Sequence, residues 1–416
     1  MVSRRVLAGA MLLAALSADA RAAAAQTSAD LFNDQVLQRI DLYVNSRDWY
    51  WLRARYMTND YYPANMKWNG TTVTNVGIRS RGTGSRSGTK PALRVSFSHY
   101  ATGRTYLGLD AIDLNNGWQD PSNVREILTM KFYRAMGLPA PRMAPAALYV
   151  NNEYFGLYTV VEEIDEAFLT RVFGENTGYL FEYKWTYYYH FEYLGTDLTA
   201  YRTLYEPRTH VYESDGALYS PVEAMTREFT DASDENFVAT VSERLDLLTF
   251  VRLVAAQAVI AECDGLTGNW GVNNNYLYRF NGRPLHQYLP WDASSSFRAL
   301  DYPLHAGHDE SVLMSRVMKF PEQRTWYYET LLEGAAVIAQ SDGAAEPGQP
   351  NPGWLEREAT RILDLIRSAA YADKVKPYTN EEFDAAAAEI VTFAQTRAGF
   401  VRREAERFAP GAGRIY

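Results

Sequence analysis

The sequence is short of several features that would define a class of protein. It contains one cysteine, Cys263, so no disulfide can form within the chain. It has no cluster of Lys and Arg that could follow a phosphate backbone, and its formal net charge is -9 with a pI near 5.3. Beyond the first residues, no uncharged apolar stretch reaches the ~20 residues that a membrane-spanning helix needs. We therefore expect no nucleic-acid partner and no transmembrane span, and packing must supply the stability.

The composition is that of a globular protein with one large or two ordinary cores. The chain has 416 residues, of which 47% are hydrophobic and 22% charged. Strand patterns come first and helical patterns later, which favours an α+β fold. We predict a sheet-rich N-terminal lobe over residues 30–175, a tyrosine-rich insertion of uncertain structure over 176–240, and a helical C-terminal lobe over 241–416.

The first 25 residues have the pattern of a signal peptide. Arg4 and Arg5 precede an apolar run at 6–16, and small residues around Ala20 and Ala22 suit a cleavage site. The sequence therefore predicts export to the periplasm, the cell surface or the medium.

A loop rich in Gly and Ser, residues 82–89, lies between two predicted strands at 71–81 and 92–97. A kinase Gly-rich loop joins two strands, whereas dinucleotide and Walker loops join a strand to a helix. The context favours the kinase type, although the tip of a loose hairpin has the same composition.

Cationic side chains flank this loop and would suit the phosphates of a nucleotide. Glu162, just after a strand predicted at 154–161, is a candidate ion-pair partner for one of them. Charges on the solvent face of a strand are the alternative explanation. The cations are Arg79, Arg81, Lys90 and Arg94.

Two acids and several amides surround a predicted hairpin in the second lobe. Asp264 follows an apolar helix predicted at 245–262, and the hairpin that comes next, which turns at Asn281-Gly282, ends just before Asp292. A helix, a loop with Asp and Asn, a hairpin and a second Asp is the order in which protein kinases hold Mg²⁺ against nucleotide phosphates. A generic acidic pocket for Ca²⁺ and a hydrolase with paired carboxylates are the other interpretations.

We interpret Cys263 as a buried small hydrophobe.

Several separate blocks, in one order from about residue 76 to 297, resemble the spore-coat protein H (CotH) kinase family. These blocks are Ile78-Arg79-Ser80-Arg81-Gly82 with Lys90 and Arg94, Asp120-Pro121-Ser122, Asn151-Asn152 through Gly156-Leu157-Tyr158 to Glu162, Asp264-Gly265, Asn274-x-Tyr276-Leu277-Tyr278 and Pro290-Trp291-Asp292. The resemblance implies a two-lobed atypical kinase fold that binds ATP with Mg²⁺ and phosphorylates Ser or Thr of protein partners.

The same resemblance implies a role for each matching residue. Asp264 would be the acid near the attacking hydroxyl, Asp292 the metal ligand and Asn274 a helper at the metal, with Asn269 as an alternative amide. Lys90, Arg94 and Glu162 would lie with the phosphates. One departure is Ser294, where the family commonly has a second acid. The alternative to an active kinase is therefore a non-catalytic relative that binds proteins or glycans at the surface through its tyrosine-rich segment.

Overall fold

The computed structural model describes residues 26–343 and 351–408, so the predicted signal peptide lies outside the described residues. The strands are β1 Gln38–Val44, β2 Tyr62–Trp68, β3 Thr71–Ser80, β4 Leu93–Ser96, β5 Ala111–Asn115, β6 Met143–Val150, β7 Glu153–Glu162, β8 Tyr179–Tyr183, β9 Tyr205–Pro207, β10 Asn275–Arg279 and β11 His286–Pro290. The helices are α1 Ser28–Leu31, α2 Ser46–Ala54, α3 Arg125–Ala135, α4 Glu166–Phe173, α5 Leu198–Leu204, α6 Asp215–Asp231, α7 Phe237–Ser242, α8 Leu247–Val259, α9 Val312–Val317, α10 Pro321–Ala339, α11 Trp354–Ala372 and α12 Asn380–Phe408.

The N-terminal strands close into a barrel in the order β1-β2-β3-β4-β5-β7-β6. All neighbours are antiparallel except β1 and β6. Alternate residues of each strand, such as Ile78, Val95 and Ile112, fill the interior, while the residues between them face outward. The period of two therefore decides which charged side chains reach the outer face.

The second lobe combines an antiparallel sheet with helices. The sheet has the order β11-β10-β8-β9, and β10 and β11 form the predicted hairpin. Helix α8 is buried along nearly its whole length, as its apolar sequence predicts, and it lies in the largest core of the described chain. The predicted α+β class, with strands first and helices later, is confirmed.

The tyrosine-rich segment 176–240 forms part of the second lobe. Its strands β8 and β9 extend the sheet of β10, and side chains such as Tyr201, Tyr205 and Tyr219 lie in the same core as α8. Sequence pattern alone does not show this, because the pairing of β8 with β10 joins residues about a hundred positions apart. The domain boundaries remain a prediction.

No helix among the described residues is long and apolar enough to cross a membrane.

A fully buried ion pair connects the barrel to the C-terminal helices. The Nζ atom of Lys90 lies 2.7 Å from a carboxylate oxygen of Asp373, and both side chains are at most 1% exposed. Asp373 also accepts the backbone N–H groups of Leu157 and Lys376 at 2.9 and 3.0 Å. Lys90 therefore does not face a nucleotide cleft, in contrast to the sequence prediction.

We predict that Lys90→Met lowers the free energy of unfolding by about 3 kcal/mol, because it leaves a buried carboxylate without its counter-charge. The double variant Lys90→Met/Asp373→Asn should recover part of that loss. Urea denaturation measures both effects. A Lys90→Met protein of normal stability that has lost nucleotide affinity would contradict this role and return Lys90 to the phosphates.

Candidate functional site

The site begins where helix α8 ends. Ala261 adopts a left-handed conformation with φ 52°, which turns the chain out of the helix toward Asp264. Arg397 of α12, fully buried, donates to the carbonyl oxygens of Ala258 and Val259 at 2.6 and 3.0 Å. Ala258 O also accepts the N–H of Ala261 at 3.2 Å, and the guanidinium adds a donor to each of the two carbonyls, which fixes the point from which the loop of Asp264 departs. Arg397 also donates to Tyr302 O at 2.9 Å.

The hairpin of β10 and β11 brings the second acid back to the first. The strands are antiparallel, so the residue before β10 and the residue after β11 are neighbours, and Trp291 N–H donates to Asn274 O at 3.0 Å. Asn274 and Asp292 both have left-handed backbones, with φ 50° and 37°. Non-glycine residues in this conformation are concentrated at functional sites.

Asn274 joins the two acidic segments. Its Nδ2 atom donates to the carboxylate and to the backbone oxygen of Asp264, at 2.9 and 3.1 Å, and Asn273 donates to the other carboxylate oxygen at 2.8 Å. Burial raises the pKa of Asp264, as does the nearby carboxylate of Asp292, while Asn273 opposes the shift. The structure therefore brings Asp264 and Asp292 together.

The Glu262 side chain contacts both the loop that carries Asp264 and the loop that carries Asp292. Its carboxyl group accepts the N–H of Asp264 at 2.8 Å and the hydroxyl of Ser296 at 2.6 Å. The side chain is buried, and burial raises its pKa to about 8. A carboxyl group two residues before Asp264 thus bridges to the loop that carries Asp292.

The outer face of the barrel supplies cationic side chains that face the second lobe. Arg81 Nε lies 3.0 Å from a carboxylate oxygen of Asp113, and its guanidinium lies 5.6 Å from the centre of the Trp291 ring. Arg94 pairs with Glu163. Arg79, Arg94 and Asp113 occupy one row across β3, β4 and β5.

The sequence expectation that Glu162 orients one of these cations is wrong. Glu162 pairs with Ile112 across β7 and β5, a position whose side chains point away from the outer face. It contacts Arg142 at 2.7 Å and Arg171 at 2.6 Å instead. Glu163, one residue later, has the role that was expected of Glu162.

A small cavity of about 30 Å³ lies between Asp292 and the barrel. Glu126, near the start of α3, enters it and accepts a hydrogen bond from Asn115. Burial raises the pKa of Glu126 to about 8, and Asp292 adds to the shift. Ser294 and Ser85 of the Gly-rich loop also line this cavity.

The Gly-rich loop is anchored beside the cavity. Asn116 Nδ2 donates to Ser85 O and Lys90 O at 2.9 and 2.7 Å, and Arg86 Nε donates to Gly82 O at 2.7 Å. Gly82 has φ 92°, and a Cβ there would lie 2.6 Å from Ser85 Oγ. Only glycine fits this position without a shift of the loop.

The role at the metal that was predicted for Asn274, with Asn269 as the alternative amide, stays a prediction. Asn274 holds Asp264 and does not line the cavity beside Asp292, whereas Asn115 does. The side-chain oxygen of Asn269 accepts a hydrogen bond from Tyr302 at 3.3 Å.

Several site residues were missed by sequence reasoning, although weak signals existed. Asp113 is a charge within the apolar strand β5, and Glu126 is the acid at the start of a buried helix. Helix α3 begins at Arg125, whose N–H donates to the Asp120 carboxylate at 2.9 Å after a turn. Glu163, Glu262 and Asn273 adjoin residues that the sequence did indicate.

Two larger openings are lined by residues described above, and the second of them includes Asp264. One, about 590 Å³, lies between the barrel's outer face and the segment after β7, with Arg79, Arg94, Glu163 and Asp165 in its lining. The other, about 410 Å³, lies in front of Asp264 and includes Cys263.

Cys263 is half-buried, and burial raises its pKa to about 11. We therefore predict that iodoacetamide modifies it at pH 8 about a hundredfold more slowly than a free cysteine, since the thiolate is the reactive form. Mass spectrometry of the labelled peptide over time measures the rate. Labelling as fast as that of glutathione would contradict the raised pKa.

Comparison with known proteins identifies the family of this chain. The CotH kinase protein family model matches residues 78–401. The chain is 25% identical to the inner spore coat protein H of Bacillus subtilis (strain 168) over 383 residues, which is 89% of this chain and 98% of that protein. Among solved structures it is similar to the Helicobacter pylori proinflammatory kinase CtkA, at 9% identity and a TM-score of 0.30, over 77% of this chain and 95% of that one. The family model covers most of the chain, which therefore belongs to the CotH kinase family.

Proposed function

We propose that this member of the CotH kinase family transfers the γ-phosphate of ATP to Ser or Thr hydroxyls of a protein partner. The observation that carries the proposal is the position of Asn274, whose side chain binds Asp264 while its backbone binds Trp291, next to Asp292. One acid is thereby available to the acceptor and the other to the phosphates. We also propose export, which rests on the pattern of residues 1–25 alone.

The residues beside the small cavity fit a magnesium ion. Mg²⁺ is usually bound by one or two carboxylates and completes its shell with phosphates and water. Asp292 and Glu126 are two such carboxylates, and Asp292 adds to the rise in the pKa of Glu126 that burial causes. Within residues 26–343 and 351–408, no group of three or more His, Cys, Asp or Glu is arranged to hold a metal.

Glu126 can replace the second acid that the family commonly has at the position of Ser294. Ser294 lines the cavity where the family commonly has a second acid, and Glu126 reaches the same cavity from α3. A second carboxylate is therefore available from α3, and this favours an active enzyme over a non-catalytic relative.

The larger opening is the place that we propose for the nucleoside. Arg79 lies at this opening, and Arg81 lies two residues further along the chain, just after the end of β3 and ~7 Å closer to the Gly-rich loop. A nucleotide with its base at Glu163–Asp165 would thus have its phosphates beside Arg81, Ser85 and Asp292. Arg81 and the backbone of the loop would neutralise negative charge there.

In the transfer step, Asp264 orients the acceptor hydroxyl and takes its proton. The hydroxyl oxygen bonds to the γ-phosphorus, the bond to the β–γ bridging oxygen breaks, and ADP leaves. Bound Mg²⁺ supplies positive charge against the phosphate oxygens. Asn273 and Asn274 hold the Asp264 carboxylate, and Glu262 fixes its backbone.

We predict that Asp292→Asn abolishes the Mg²⁺-dependent part of the thermal shift that ATP produces, because a neutral amide is a weaker ligand for Mg²⁺. Glu126→Gln should weaken the same part of the shift. Asp234→Asn is the matched control, because Asp234 is exposed and does not line the cavity beside Asp292. This variant should leave the Mg²⁺-dependent part of the shift unchanged. A wild-type protein without any Mg²⁺-dependent shift in ATP would refute the proposed function.

We further predict that Asp264→Asn keeps this thermal shift but lowers phosphate transfer about 10² to 10⁴-fold, the usual contribution of a proton acceptor. Transfer of labelled γ-phosphate to an array of Ser- and Thr-containing peptides measures the loss. Full transfer by Asp264→Asn would remove Asp264 from the mechanism.

A further inference from the structure

The opening in front of Asp264, which we name the acceptor groove, has an unusual lining. Apart from Asp264 itself, its main side chains are Trp185, Trp270, Asn273, Gln119 and Arg298. Trp185 comes from the tyrosine-rich segment, Trp270 and Asn273 from the loop between Asp264 and β10, and Gln119 from the first lobe. With Arg298 from the segment after Asp292, four separate parts of the chain thus meet around the acid.

The two tryptophans form a fixed and exposed surface. Trp185 is 44% exposed and Trp270 41%, and the indole N–H of Trp185 donates to Trp270 O at 2.9 Å. Tyr188, 58% exposed, packs its edge on Trp185 with ring centres 5.9 Å apart. Large aromatic rings that stay in water beside a polar groove indicate a binding surface.

The backbone holds this surface in place. Val272 N–H donates to Tyr189 O at 2.8 Å, so the segment that carries Trp185 is bonded to the loop that carries Trp270. Gly271, with φ 76°, allows the approach, because a Cβ there would lie 2.5 Å from Tyr189 O. The rings are therefore ordered before any partner binds, which reduces the entropy lost on binding.

Arg298 adds a charge of the opposite sign to that of the protein. It is exposed, and it donates to Gln119 O at 3.2 Å. In the part of the chain that the structure describes, Arg298 forms no salt bridge, and its charge acts on Asp264 in the same groove, where it opposes the rise in the pKa of Asp264 that burial causes. A guanidinium of this kind suits a carboxylate of a partner.

We infer that the acceptor groove selects an extended peptide with an aromatic or bulky apolar residue next to the Ser or Thr, and an acidic residue within reach of Arg298. This inference rests on the proposed function, since the hydroxyl must lie at Asp264. A neutral glycan would also stack on the tryptophans, but it would leave Arg298 without a partner. A peptide with an aromatic and an acidic residue can contact both the tryptophans and Arg298.

The first test is phosphate transfer from ATP to a degenerate array of Ser- and Thr-containing peptides. Wild-type protein should prefer peptides with an aromatic and an acidic residue. Trp185→Ala and Trp270→Ala should each lower transfer to these peptides by about tenfold, the effect of losing one buried aromatic contact. Arg298→Glu should reverse the preference from acidic to basic peptides.

Matched controls separate these effects from a general loss of structure. Tyr212→Ala removes a fully exposed ring of the same tyrosine-rich segment, and Arg403→Ala removes an exposed arginine of α12, both outside the groove. Neither should change peptide preference. The thermal shift with ATP and Mg²⁺ should be the same in every variant.

The second test measures binding without transfer. Calorimetry with the preferred peptide, in which Ala replaces the acceptor Ser, should show binding to the wild type and at least tenfold weaker binding to Trp185→Ala/Trp270→Ala. Such binding without transfer by the wild type would support the groove and refute the kinase activity. The groove assignment would be overturned if the Trp185, Trp270 and Arg298 variants transferred phosphate to the same peptides as the wild type. It would also be overturned if the groove bound neutral oligosaccharides in place of peptides.

Discussion

The hydrogen bonds of Asn274 are the constraint on which the site depends. One side-chain amide holds Asp264, and the backbone oxygen of the same residue holds Trp291 and so the loop of Asp292. Two acids that are distant along the chain become neighbours because an antiparallel hairpin returns to its starting point. Glu262 and Arg397 reinforce this junction from the core, where buried donors and acceptors need partners.

The first lobe contributes through the alternation of its strands. Arg79, Arg81, Arg94 and Asp113 reach the cleft because the interior of the barrel takes the residues between them. The same alternation removes Glu162 from the cleft and puts Glu163 there. The buried pair of Lys90 and Asp373 then connects the end of the Gly-rich loop to the helices of the second lobe. A charge in this position stabilises the relation between the lobes instead of binding phosphate.

The tyrosine-rich segment shows how one composition serves two purposes. Tyr189, Tyr201 and Tyr205 are buried in the core of the second lobe, whereas Trp185 beside Asp264, and Tyr188 packed on Trp185, remain exposed. Aromatic residues suit both places, since a large ring gains from burial and also offers a rigid contact surface. Which ring has which role follows from strand pairing and not from residue type.

The sequence by itself determined the α+β order, the buried helix before Asp264, the hairpin that returns Asp292 and the Gly-rich loop between two strands. These features depend on local periodicity and turn residues, which are readable along the chain. Only the tertiary structure decided that Glu163 and not Glu162 pairs with Arg94, that Lys90 is buried on Asp373, and that Glu126 enters the cavity beside Asp292. Those contacts join residues far apart in sequence, and a shift of one residue in a strand reverses the side that a charge faces.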